Sequence, residues 1–515
     1  MTAGDPRHTQ VGTSDGDTNG IVRPWDHGGV RRRLGMVATA FVVLAACSGD
    51  GPRPLGPTAA ERTSTAPPST SAPSTTAPPV VPAPATAGDA TCPAVPERVG
   101  PAADRPRYDL RVDVSPAANT VTGRVAVRFT PDLATDRLVF RLWPNGPRPA
   151  RAGASLDVGE VTVGGRSVPA ARESPTTLVV RPPETLVANR PVDATAEWRL
   201  RLPGPVNDRV SRRGDAIRLG SFFPILAWEP GVGWATESPT SGFSEASTAP
   251  TADFIAAVNV PPGFDVLATG VPDGPGRWKA SAVPDFALSV GRFSVASATV
   301  DVPRPVRVTV GVQAGLADAP SDYLSQVTSA LEDLSRRYGP YPWPSFSLAV
   351  TPELSGGIEY PMHVFQGPGT NGRTTAHEVA HMWFYALVGN NQGRDPWLDE
   401  GLASWAEART TGTLGDFLEK AVPAEGRGRA GKPMAFWEGR QSAYYRSVYV
   451  QPVKALAALG SPDRVDCALR LYLARTAYHV ARPADLLEAV NAVFPRGAAT
   501  LARFGIASAP PSFAR

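Results

Sequence analysis

Residues 374–400 read Thr-Thr-Ala-His-Glu-Val-Ala-His-Met-Trp-Phe-Tyr-Ala-Leu-Val-Gly-Asn-Asn-Gln-Gly-Arg-Asp-Pro-Trp-Leu-Asp-Glu. His377 and His381 are four apart, so on a helix they share one face and both imidazoles can point at one ion, with Glu378 beside them. Thr374 or Thr375 is the expected N-terminal cap, the helix is expected to run on through Met382 to Val388, and Gly389 is its stop. A second helix start follows, with Asp395 as cap and Pro396 in the first turn, and it presents Glu400. Eighteen residues separate His381 from Glu400. That is enough for the first helix to end and the chain to return past the ion, which makes Glu400 the expected third ligand.

Two histidines and one carboxylate leave a fourth position open, which is the mark of a catalytic rather than a structural zinc. A structural site needs ligands only. A catalytic one also needs a base such as Glu378, placed to take a proton from activated water. The expectation is one zinc per chain, held by His377, His381 and Glu400.

Working outward, the segment after about Ala319 has helical period, with Tyr323, Val327, Leu331 and Leu334 in phase and a stop at Tyr338-Gly339-Pro340. Helical patterns then continue to the C-terminus, interrupted by one strand at Phe346 to Val350. Upstream, short alternating runs (Tyr108 to Val114, Val121 to Thr130, Leu138 to Trp143, Thr177 to Arg181, Ala252 to Val260, Val306 to Val312) are separated by Pro, Gly, Asn and Asp. They predict one large β-domain without catalytic motifs of its own.

These residues resemble the gluzincin aminopeptidases typified by aminopeptidase N and the leukotriene hydrolases, over roughly residues 100–515. The likeness rests on HEVAHMWFYALVG, on WLDEGLASWAE and on Gly356-Gly357-Ile358-Glu359-Tyr360, which is similar to the exopeptidase motif of that family. It implies an α+β multidomain chain: an antiparallel β-sandwich-like domain over 92–312, then a thermolysin-like, mainly α catalytic domain over 313–515. It also implies that Glu359 receives the free α-amino group of a peptide, with Gly356 and Gly357 letting backbone approach the substrate. Tyr449 is the implied oxyanion donor, with Tyr444 or Tyr445 as substitutes. Tyr360 and Met382 depart from the commonest family residues without removing a ligand. The large helical C-terminal domain of many relatives is expected to be missing, so the cleft is expected to be open. Asp399 and Glu407 are expected behind the ligands, Asp399 being placed to orient an imidazole. His363 is expected near the pocket but not as a ligand, and His479 as an ordinary surface or core histidine.

Composition narrows the partners. With 42% hydrophobic residues, 19% charged residues and a net charge of +3, there is no basic stripe of the kind nucleic acid requires. Peptide is the expected substrate, and no obligate protein partner is evident. Arg31 to Arg33 precede an apolar run, Met36 to Ala46, too short to span a bilayer but suited to a signal-peptide core. The run ends in Leu44-Ala45-Ala46-Cys47, which resembles a bacterial lipobox and marks Cys47 for lipidation at the outer face of the cell membrane. Residues 48–91, rich in Pro, Ser and Thr, then form a tether. Cys92 and Cys467 remain as an even pair in an oxidising compartment, which invites a disulfide. Two competing functions stay open: a non-catalytic peptide-binding lipoprotein, and an endopeptidase of the same chemistry.

Overall fold

The structure is a computed structural model that describes residues 92–241, 248–370 and 372–507. The leader, Cys47 and the tether lie outside the described residues.

Alternation builds the first half. In β1 (Arg107–Ser115) every second side chain is buried, so Tyr108, Leu110 and Val112 enter the core while Arg111 and Asp113 face water. β1 pairs with β2 (Thr120–Phe129), which leads through β4 (Val192–Arg201) to β3 (Ser155–Val163). On the other side lie β5 (Ala252–Asn259) and β6 (Arg277–Val283), completing with two short edge pieces an eight-stranded sheet. Two four-stranded sheets accompany it.

Within this mainly antiparallel sheet one pairing differs, because β1 and β5 run parallel. Their register sets Tyr108 opposite Phe254, and the two rings stack with centroids 4.6 Å apart. A pairing across so many residues leaves no local trace, whereas hairpin pairings do.

The second half begins earlier than the expected boundary at 312. β7 (Phe293–Asp301) and β8 (Pro305–Gln313) belong to a five-stranded sheet with β9 (Ser345–Val350), β10 (Gly357–Tyr360) and β11 (His363–Gln366), in the order β7-β8-β9-β11-β10. A β-hairpin has the same alternation whichever sheet it joins, so sequence periodicity could not assign it. Helix α1 (Pro320–Tyr338) packs across β7 and β8, burying Tyr323, Val327, Leu331 and Leu334. β10 is the edge strand, next to α2 (Gly372–Ala380).

Helix α3 (Trp397–Thr410) is buried on all sides from Trp397 to Ala408, as befits the central helix of a helical layer. α4 (Pro462–Thr476) meets it through Asp466, which accepts from Trp405 and Arg409, and α5 (Pro483–Val493) packs on α4. Cys467 of α4 is disulfide-bonded to Cys92, their Cα atoms 5.9 Å apart.

Candidate active site

α2 carries His377 and Glu378, and His381 follows directly after its last residue. Helical winding changes there: Ala386, Leu387 and Val388 donate to the carbonyls of His381, Met382 and Trp383, five residues back. The expected continuation as α-helix to Val388 is therefore wrong. The run Met382 to Leu387 is wholly buried, and packing all six side chains favours a wider winding than one helix face allows. The wider turn returns the Phe384 carbonyl to His381 Nδ1 at 3.1 Å. That hydrogen bond places the proton on Nδ1 and leaves the Nε2 lone pair directed at the site. The expected caps also differ: Thr375 is inside α2, bonded to Gln326 and Gln366, and Asp395 pairs with Arg394 instead of capping α3.

α3 brings Glu400 to both imidazoles. His377 Nε2 lies 3.1 Å from Glu400 Oε2 and 3.2 Å from His381 Nε2, and His381 Nε2 lies 3.4 Å from the same carboxylate oxygen. A tetrahedral zinc with ligands at about 2.0–2.1 Å has ligand–ligand edges of about 3.3 Å. The triangle of donors matches that edge, so these residues fit the ion.

The charges fit as well. Burial opposes protonation of His377 and His381, yet Glu400 and Glu407 raise the first well above its ordinary range, and Glu359 with Glu400 raises the second to about 9. Burial also pushes up Glu400, but its bonds to the two histidines outweigh this and hold it well below the usual carboxylate range. Burial raises Glu378 to about 8. Several carboxylates thus converge where a dication would sit.

Glu378 and Glu359 complete the centre. Glu359 and Gly357 alternate onto the face of β10 that meets α2, while Ile358 and Tyr360 pack into a small core with Leu354 and Phe365. One oxygen each of Glu359 and Glu378, with a His381 nitrogen, lie within 4.8 Å of one another. Gly356 has a φ of +115°, and a Cβ on Gly357 would meet Glu378 at 2.3 Å. The glycines therefore allow close approach to the Glu378 carboxylate. Tyr449 comes from a π-helical turn, Arg446–Val450. Its hydroxyl donates to Glu400 Oε1 at 2.6 Å and its ring stacks on His377. Gly401 permits this approach, since a Cβ there would lie 2.6 Å from Pro452.

The cleft has a volume of about 450 Å³. It is lined by Glu359, Glu378, His377, His381, Glu400, Tyr445 and Tyr449, among others, but not by Tyr444. His363 is not in it either. It is fully buried, its two ring nitrogens bonded to Ser289 at 3.0 Å and Ser347 at 2.7 Å, and burial drives its pKa down to about 3. Asp399 touches no imidazole: it accepts from Gln392 at 2.7 Å and from the Glu400 amide at 2.9 Å. The carboxylate behind His377 is Glu407, 3.3 Å from Nδ1 and tied to Arg373 at 2.9 Å. His479 is exposed, its Nδ1 bonded to the Ala477 carbonyl.

Sequence reasoning missed the supports of Glu359. Gln392 bridges Asp399 and Glu359, and Arg209 of the β-domain lies 3.8 Å from Glu359. Gln392 sits between the two motif helices, where a buried amide could have been suspected. Arg209 had no local signal.

Residues 369–428 match the family model described as the peptidase family M1 domain. Aminopeptidase B of Mus musculus is 28% identical over 141 residues, 26% of this chain and 21% of that protein. Leukotriene A-4 hydrolase of Xenopus laevis is 34% identical over 91 residues, 16% of this chain and 14% of its own. The chain thus spans about a fifth of the length of the curated aminopeptidase B it matches. Among solved structures, the M1 zinc metallopeptidase from Deinococcus radiodurans superposes with a TM-score of 0.60 at 19% identity, over 80% of this chain and 95% of that one. A mutant of that metallopeptidase bound to a Tyr-Ser-Ala substrate superposes with a TM-score of 0.60 at 19% identity, over 79% and 95%. The stretch that matches the peptidase family M1 domain thus lies within a fold similar to that of the two-domain M1 zinc metallopeptidases.

Proposed function

We propose that the protein is a zinc-dependent aminopeptidase that hydrolyses the N-terminal residues of peptides. The observation that carries this reading is the meeting of three ligand atoms at 3.1–3.4 Å with Glu378 and Glu359 in the same cleft. Zinc held by His377, His381 and Glu400 supplies a lowered water pKa and polarisation of the scissile carbonyl. Glu378 takes the proton from the attacking water and passes it to the leaving amine. Tyr449 offers its hydroxyl to the developing oxyanion, a bond a phenol can give without ionising. Glu359, held by Gln392, takes the substrate ammonium, and a chain end gains that charge-assisted bond where a mid-chain peptide does not.

The test joins zinc content to release of N-terminal residues from aminoacyl fluorogenic substrates. The parent should bind one zinc and cleave, while Glu378→Gln should keep zinc and lose about 10²–10⁴-fold in kcat. Zinc in both with cleavage by neither would leave a peptide-binding protein. Equal cleavage of a free-amine peptide and its N-acetylated twin would point to an endopeptidase.

The leader supports anchoring at the extracytoplasmic face of a bacterial membrane through lipid on Cys47. Mass spectrometry of the mature N-terminus tests this, and an unmodified Cys47 still joined to upstream residues would refute it.

A further inference from the structure

Besides Glu359 at the amine end, the cleft holds two cations, Arg373 and Lys420. Arg373 is committed, with bonds to Glu407 at 2.9 Å and Asp416 at 3.0 Å. Lys420 is different. Half-buried, its ammonium lies 4.4 Å from the Phe417 ring centroid, 5.7 Å from that of Tyr445 and 3.5 Å from the Tyr445 hydroxyl. Among the described residues no carboxylate lies within ion-pair distance of it. Two aromatic faces hold this cation in place without neutralising it.

Its position relative to the ligands gives it a direction. Glu359 adjoins the triad on the His381 side. Lys420 is reached from the His377 side, through Glu407, then Arg373, then Phe417, over which Arg373 and Lys420 both lie. A peptide with its ammonium on Glu359 and its first carbonyl at the triad therefore sends its C-terminal portion towards Lys420. A cleft of about 450 Å³ suits a few residues.

We infer that Lys420 receives a substrate carboxylate on the C-terminal side of the scissile bond, which makes short peptide acids the preferred substrate class. This rests on the aminopeptidase reading above. The carboxylate has two sources, the chain terminus or an acidic side chain, and the terminus needs only a short peptide.

The experiment compares kcat/KM for Ala-Ala-Ala, its C-terminal amide and Ala-Asp-Ala amide, in the parent, Lys420→Met and Lys420→Arg. The parent should prefer the free acid to the amide by about tenfold or more, the worth of one charge-assisted hydrogen bond. The ratio should fall to about one in Lys420→Met and return in Lys420→Arg. A gain for Ala-Asp-Ala amide alone assigns the carboxylate to a side chain. A ratio near one in the parent, or an unchanged ratio in Lys420→Met, overturns the inference while cleavage of the amide leaves the aminopeptidase standing. If no peptide is cleaved, the aminopeptidase reading fails, and calorimetric binding of Ala-Ala-Ala against its amide to Glu378→Gln, with and without Lys420→Met, decides Lys420 by itself.

Discussion

Gly357 lies against Glu378 so closely that a methyl group at position 357 would sit 2.3 Å from Glu378 Cγ. The edge strand and the zinc-binding helix share that space, and the movable partner is the carboxylate. Gly357→Ala should therefore displace the base without unfolding the protein. We expect kcat to drop by about a hundredfold, the cost of misplacing a reacting group by about 1 Å, with zinc content and melting temperature nearly unchanged. Activity and metal analysis on the purified variant check this, and wild-type kcat would show that Glu378 is placed some other way.

Tyr449 should separate binding from chemistry. Its hydroxyl is held 2.6 Å from Glu400 and its ring stacks on His377, so Tyr449→Phe keeps the packing and removes one donor. The expected outcome is a loss of about 10²–10³ in kcat with KM little altered. Steady-state kinetics give the split. A rise in KM alone would make Tyr449 a substrate contact.

Asp466 fastens three helices. Its carboxylate accepts from Tyr338 of α1 at 3.0 Å, from Trp405 and Arg409 of α3 at 2.9 and 3.0 Å, and from Arg337 of α1 at 3.4 Å. Asp466→Ala leaves two guanidinium groups without this shared partner in a largely buried place, and should cost about 3–5 kcal/mol. Asp466→Asn keeps acceptor capacity and should cost less. Chemical denaturation measures both, and equal midpoints for the parent and Asp466→Ala would show the network to be energetically idle.

Asp285 should make stability fall with pH. Burial pushes its pKa up to about 7, against the bonds it accepts from Ser221 and the Phe286 amide and the pull of Arg209. The unfolded chain releases this proton near pH 4. Between about pH 4 and pH 7 the folded protein therefore binds more protons, and stability declines by up to about 1.4 kcal/mol per pH unit, levelling off above pH 7. Asp285→Asn should lack that contribution, so its advantage over the parent should grow from pH 5 to pH 8 in guanidinium titrations. A constant difference would mean that Asp285 stays ionised.

Local patterns were legible wherever one element supplied the whole signal. The strand alternation of 107–115 and the helical phase of Tyr323, Val327, Leu331 and Leu334 emerged at nearly their expected bounds. The winding after His381 did not, because a fully buried aromatic run has no polar face to mark its period. His363 looked like a pocket residue only through its nearness to Glu359 in sequence. In an edge hairpin, two residues that close can still face different surroundings, and this one faces Ser289 and Ser347.

By itself the sequence determined the chemical elements of the site: two histidines at helical spacing, a carboxylate between them, and another at the start of the next helix. Those relations are local or nearly so, and helix geometry turns spacing into direction. Tertiary structure alone decided what surrounds them. Arg209 meets Glu359 across the two halves of the chain, β1 finds β5 in parallel register, and Lys420 comes to the cleft over the rings of Phe417 and Tyr445. Such contacts join residues far apart along the chain, and their register is set by packing the whole core, which no single window of sequence contains.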